Sequence, residues 1–196
     1  MVGGIDWSSH DFATVFELPA DYDVLDLSTG KMPVQKSEYS VGRYDEERPG
    51  VYSTELFEGT RNLHVGIDLG GPVGTPCMAF HDGEIVQYGY NPEPGDYGYV
   101  IITQHELDGV RFWALYGHLS KSSLDGIEDR LSFSAGDTIG WLGDYDENGG
   151  WPPHLHFQLS FVEPTTHDLP GVVDPREREQ ALSDFPDPRL VLGSLY

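Results

Sequence analysis

From residue 61 onward the chain is cut into short apolar runs by Gly, Pro and Asp, and the spacing of those runs decides the fold class. The runs cover residues 63–68, 76–80, 83–88, 99–103, 110–116, 138–142 and 154–162. Parallel strands need a crossover of about a dozen residues or more, usually a helix, and this spacing leaves no room for such helices. The expected class is therefore all-β, built from antiparallel sheets as a sandwich or a partly open barrel. The 24 glycines and 14 prolines supply the turns that so many strands require. One turn can be read directly: Asp108-Gly109, between two apolar runs, is a hairpin signal.

The flanks have a different texture. Residues 1–40 show little alternation and several turn cues, with one short apolar strand expected around residues 24–27. Residues 41–60 are polar and broken by Pro49 and Gly50, which predicts a long surface loop anchored by Tyr44, Tyr52 and Phe57 and placed to form a cleft wall. Residues 164–196 return to Pro, Asp and Arg punctuation, with a helical turn expected at 175–182. The chain divides accordingly into an irregular N-terminal extension (1–40), a main domain (41–163) and an irregular C-terminal extension (164–196).

Charge and cysteine usage narrow the function classes. A net charge of −22, from 33 acidic and 11 basic residues, opposes sequence-independent attraction to nucleic acid or to an anionic membrane. Cys77 is the only cysteine, so neither an intrachain disulfide framework nor a thiolate metal site can form. No run of 18 apolar residues occurs, and the N-terminus lacks the basic start and apolar core of a secretion signal. The expectation is a soluble chain without membrane insertion, periplasmic or extracellular if it is a mature form and cytoplasmic otherwise.

The residues that carry chemistry are histidines in strand contexts. In His154-Leu155-His156 the two imidazoles point to one face of an extended strand, while Leu155 and Phe157 point to the other. One could ligate a metal while its neighbour handles protons; two histidines on an edge strand would look the same. His64 and Asp68 share a face of a straight strand but lie about 13 Å apart on it. Binding one ion requires a bend between them, and Gly66 is the residue that permits it. Together with His156 they form a two-histidine, one-aspartate set that leaves zinc an open coordination position. His118, after Tyr116-Gly117, ends a strand and either lies at the rim of such a site or is a hairpin histidine bonded to backbone.

The ordered set of His64 and Asp68, then Tyr116-Gly117-His118-Leu119, a Gly136-Asp137 turn, and His154-Leu155-His156-Phe157 resembles the lysostaphin-type zinc metalloendopeptidases, also called LytM-type domains. These cleave peptide cross-bridges or stem peptides of bacterial peptidoglycan. The match covers residues 61–161. The resemblance implies a largely antiparallel β-fold with an open active-site groove. It also implies one Zn2+ per chain held by His64, Asp68 and His156, with His118 and His154 as the catalytic pair and a peptide or peptidoglycan substrate. His105 is expected to be structural, and His10, His81, His167 and Cys77 have no part in the pattern. Two departures stand out: Gln158 replaces the usual glutamate after the second histidine, and residues 143–153 are unusually acidic and aromatic. Two other function classes remain at this point: a non-catalytic domain of the same fold that binds a peptide or protein, and a mononuclear iron oxygenase using two histidines and a carboxylate.

Overall fold

Strand alternation assigns the buried side chains to two separate apolar layers, and the site lies on the second. The structure is a computed structural model that describes residues 1–57, 59–128 and 130–196. In chain order the strands are β1 (Asp23–Leu25), β2 (Ser40–Gly42), β3 (Glu46–Glu47), β4 (Leu63–His64), β5 (Ile67–Gly70), β6 (Pro76–Met78), β7 (Gly83–Asn91), β8 (Gly98–Leu107), β9 (Val110–Leu119), β10 (Ser132–Phe133), β11 (Thr138–Trp141), β12 (His154–Ser160) and β13 (Val172–Val173). Two short helices follow, α1 (Arg178–Asp184) and α2 (Arg189–Leu192).

Eight strands form the central sheet in the order β1-β2-β5-β12-β9-β8-β7-β10, with β11-β6 and β13-β4-β3 as two smaller sheets. Its outer strands β1 and β10 are edges, so the sheet does not close into a barrel. On β9, Phe112, Ala114 and Tyr116 join one apolar cluster with Cys77 of β6 and Ile139 of β11, while Trp113 and Leu115 join a second with Leu63 of β4 and Val173 of β13. Both faces of the sheet are thus covered, which makes the architecture a sandwich. The β8–β9 hairpin turns at Asp108 (φ 51°) and Gly109 (φ 76°), the two positive dihedrals that a two-residue hairpin matched to strand twist demands. None of the helices among the described residues is long and apolar enough to cross a membrane.

Two expectations are corrected here. The sheet contains one parallel pair, β1 with β2, joined by the long excursion of residues 26–39. A long connection is what parallel pairing needs, and the helix-free spacing argument applied only from residue 61 onward. Residues 41–60 are also more than a surface loop, since they contribute β2 and β3, and Glu46 and Arg48 within them are 7% and 2% exposed. Their charges pair with each other and with Asp68, which permits the burial that polarity alone argued against.

The bend expected between His64 and Asp68 is present: β4 ends at His64, β5 starts at Ile67, and the two belong to different sheets. Gly66 serves the bend through close approach, because a Cβ there would lie 2.5 Å from the His156 ring. Replacement Gly66→Ala is expected to displace that ring and to destabilise the fold by about 1–3 kcal/mol in denaturant titration, the usual cost of overpacking.

His105 is structural, as expected. It is 2% exposed, its Nδ1 donates to Asp82 O at 2.9 Å, and Nε2 lies 2.8 Å from Thr103 Oγ1. Burial lowers its pKa from 6.5 to about 4. The unfolded chain therefore binds a proton that the folded chain refuses between those values, and the stability held above pH 6.5 is lost as pH falls toward 4. His105→Gln is expected to flatten the dependence of unfolding free energy on pH in that window by up to about 1.4 kcal/mol per pH unit, read from urea melts at stepped pH.

Candidate active site

Three central strands bring the site together. On β12, Leu155, Phe157 and Leu159 enter the first apolar cluster, so His154, His156 and Gln158 face the other way. On β5, Ile67 and Leu69 do the same and leave Asp68 on the side of His156. Antiparallel pairing sets His156 opposite Asp68 on one flank and opposite Gly117 of β9 on the other. His64 arrives from the small sheet above.

His118 is aimed by a β-bulge. Between the pairs Tyr99–Leu119 and Ile101–Tyr116, β9 carries one residue more than β8. His118 takes up the excess at φ 63° while its N–H donates to Tyr97 O at 3.0 Å. A left-handed backbone costs a non-glycine residue about 1–2 kcal/mol, and here it brings the ring over that of His154, with centroids 4.3 Å apart. Gly117 admits the Tyr97 ring, since a Cβ there would lie 2.6 Å from Tyr97 Cδ1.

The proton positions follow from the outer partners. His64 Nδ1 donates to Arg43 O at 2.8 Å, and His156 Nε2 donates to Gln158 Oε1 at 2.9 Å. The Gln158 amide is oriented by its own donation from Nε2 to Pro170 O at 3.3 Å. Each neutral imidazole has only one N–H, so His64 Nε2 and His156 Nδ1 carry bare lone pairs. These nitrogens lie 3.1 Å from each other, and Asp68 Oδ1 lies 3.1 Å from the first and 3.2 Å from the second. Three lone pairs converge with no proton between them, which is repulsive unless a cation sits among them. Tetrahedral zinc with bonds of about 2.0–2.1 Å needs donors about 3.3 Å apart, so the set fits a metal site. No other group of three or more His, Cys, Asp or Glu among the described residues has donor atoms so placed.

His118 and His154 are arranged alike, with Nδ1 donating at 2.7 Å to Asn148 O and to Pro152 O respectively. Their Nε2 atoms are left as acceptors, and that of His154 lies 3.7 Å from Asp68 Oδ1. Burial lowers the pKa of His64 to about 4, helped by the Arg48 charge; burial also lowers that of His154, and holds that of His118 well below 6.5 together with its imidazole neighbours. Burial alone would raise Asp68, but charged neighbours, the Arg48 guanidinium among them, outweigh it and hold the carboxyl well below its usual range.

The site opens into a groove of about 580 Å³. Its walls include Leu25 and Leu27 from the N-terminal stretch, Tyr52 and Phe57, Trp151, and Leu169. All five histidine and aspartate positions singled out from sequence line this groove. The remaining histidines do not: His10 meets Asp108, His81 bonds Asp82 O, His105 is in the core, and His167 packs against Gly89. Cys77 is a buried free thiol. Sequence reading missed Arg48, whose Nη1 donates to Asp68 Oδ2 at 2.7 Å, and Asn148, a fully buried residue whose carbonyl orients His118. The acidic-aromatic stretch flagged in the sequence contained Asn148 and Trp151; an Arg beside Pro49-Gly50 offered no comparable signal.

The family model for peptidase family M23 matches residues 62–167. The chain is 35% identical over 115 residues to the DD-carboxypeptidase/endopeptidase Mpg of Neisseria meningitidis serogroup B, covering 57% of this chain and 24% of that protein. It is 39% identical over 109 residues to the glycyl-glycine endopeptidase ALE-1 of Staphylococcus capitis, covering 54% of this chain and 27% of that one. Among solved structures, the catalytic domain of lysostaphin from Staphylococcus simulans is 28% identical, with 70% of this chain and 90% of that chain covered at a TM-score of 0.49. The chain spans about a quarter of the length of these two curated relatives. The matched segment takes in more than half of the chain and holds His64, Asp68, His118, His154 and His156, and the chain belongs to peptidase family M23.

Proposed function

We propose that this chain is a zinc-dependent endopeptidase that hydrolyses peptide bonds in peptidoglycan cross-bridges or stem peptides, with one zinc ion held by His64 Nε2, Asp68 Oδ1 and His156 Nδ1. The observation that carries the reading is the set of three ligand atoms, His64 Nε2, His156 Nδ1 and Asp68 Oδ1, 3.1–3.2 Å apart in an open groove. Membership of a peptidase family supports the reaction class, and the endopeptidase relatives support the bond. Bound there, zinc would supply a Lewis acid that polarises a carbonyl and makes water acidic near neutral pH.

The protein's own groups account for the proton traffic. His118 and His154 each present Nε2 as an acceptor because their Nδ1 protons are committed to carbonyls. Their depressed pKa values keep them neutral at pH 7, ready to take a proton from the attacking water. An imidazolium so formed then donates to the departing amine and offsets negative charge on the carbonyl oxygen. Tyr52 and Trp151 form an aromatic wall 6.0 Å apart that restricts how the peptide lies. Residues 1–40 and 164–196, read as extensions of the 41–163 domain, supply further groove wall through Leu25, Leu27 and Leu169.

Purified protein is expected to carry one divalent metal per chain, and His156→Ala to lose both metal and hydrolysis of peptidoglycan fragments followed by mass spectrometry. A wild-type protein without stoichiometric metal would overturn the reading. His118→Ala and His154→Ala are expected to retain the metal while kcat falls by about 10²–10⁴-fold. Undiminished turnover in either variant would remove that residue from the mechanism.

A further inference from the structure

We infer that Arg48 is a positioning residue: its buried guanidinium occupies Asp68 Oδ2 and so restricts Asp68 to offering a metal ion Oδ1 alone. The inference rests on the metal reading above. Every nitrogen of the guanidinium is committed. Nη1 donates to Asp68 Oδ2 at 2.7 Å and to Tyr52 OH at 2.9 Å, Nε donates to Glu46 Oε2 at 3.0 Å, and Nη2 donates to Arg43 O at 3.1 Å. Glu46 is itself fixed, with Oε1 accepting from Leu27 N at 3.2 Å.

The same groups hold His64. The Arg43 carbonyl that receives Arg48 Nη2 also receives His64 Nδ1 at 2.8 Å, and Glu46 is paired with His64 across the β3–β4 ladder. One carbonyl therefore registers the arginine against one candidate ligand while its guanidinium holds another. Gly42 makes room for the contact, because a Cβ there would lie 2.7 Å from Asp68 Oδ2 and 2.9 Å from Arg48 Nη2. Residues 42–48 all lie outside the 62–167 segment matched by the family model.

The consequence is a matter of donor count. A carboxylate with both oxygens free can chelate an ion and raise its coordination number; with Oδ2 taken by a charged donor, Asp68 presents one. The set then offers three protein donors and keeps a position open for water or substrate, which suits zinc over cations that favour more oxygen donors. Glu46 pairs with the arginine through Nε, so the guanidinium is not an unpaired buried charge. A lysine would keep the charge but not the planar fork that reaches four partners at once.

The test uses the full chain in two variants: Arg48→Lys, and Glu46→Gln combined with Arg48→Met, which leaves no unpaired buried charge between those two positions. Zinc affinity is measured by competition with a chromophoric chelator, and coordination number by the visible absorption of the Co2+-loaded protein, after circular dichroism has established folding. Both variants are expected to bind zinc about 10–100-fold more weakly. Their Co2+ absorption is expected to weaken as Asp68 becomes bidentate. Folded variants, or Arg48→Lys alone if the double variant does not fold, with wild-type zinc affinity and an unchanged Co2+ spectrum would overturn the role of Arg48. A wild-type protein that binds no metal, or that keeps it in His156→Ala, would instead overturn the metal reading and take this inference with it.

Discussion

The groove chemistry depends on the register of β12 between β5 and β9. With His156 opposite Asp68 on one side and Gly117 on the other, the polar members of β12 and β5 share a face while Leu155, Phe157, Ile67 and Leu69 fill the core beneath them. A slip of one residue would carry both imidazoles into that core and bring Leu155 and Phe157 into the groove. Three apolar side chains of β12 lie fully buried in the first cluster, and at about 1.5–3 kcal/mol each they hold the register firmly. Apolar packing on one face thus fixes polar geometry on the other.

On the polar face, carbonyl groups do most of the orienting. Arg43, Asn148 and Pro152 each accept a histidine Nδ1–H, and the Gln158 side chain accepts the Nε2–H of His156. Backbone acceptors are held by the fold itself, so the tautomers are set before any ligand arrives. The departure at Gln158 is accommodated in the same way, since an amide oxygen can accept that proton as a carboxylate would. Among the five histidine and aspartate positions of the site, the bulge puts His118 in the left-handed region, where it turns an imidazole that regular pleating would have aimed elsewhere.

Much of this was legible in the chain. The spacing of apolar runs defined β5 to β9, β11 and β12 as strands, Asp108-Gly109 defined a hairpin, and period-two alternation put His154 and His156 on one face. The 13 Å straight-strand separation required a bend near Gly66, and β4 and β5 do part there. The reason was different from the one expected, since Gly66 is small to admit the His156 ring rather than to free the backbone. Arg48 and Glu46 were hidden because a polar segment with Pro49-Gly50 reads as exposed loop, and only charge pairing across the fold reverses that reading. A short strand was expected around residues 24–27, where β1 lies, but its parallel pairing with β2 was hidden, because nothing local in the segment names the partner strand or its direction.

What the sequence by itself determined is the inventory and its facing: an all-β class, as a sandwich or a partly open barrel, which side chains alternate inward, and, through the family resemblance, which histidines and aspartate carry the chemistry. The first two are local, set by strand periodicity and turn residues. Only the tertiary structure decided which nitrogen of each imidazole is bare, that Asp68 turns Oδ1 toward the histidines while Oδ2 meets Arg48, and that His118 reaches over His154. Several of these depend on a partner far away in the chain, Arg43 beside His64, Asn148 beside His118 and Arg48 beside Asp68, and no spacing along the sequence encodes a hydrogen bond that closes only when separate strands are brought together.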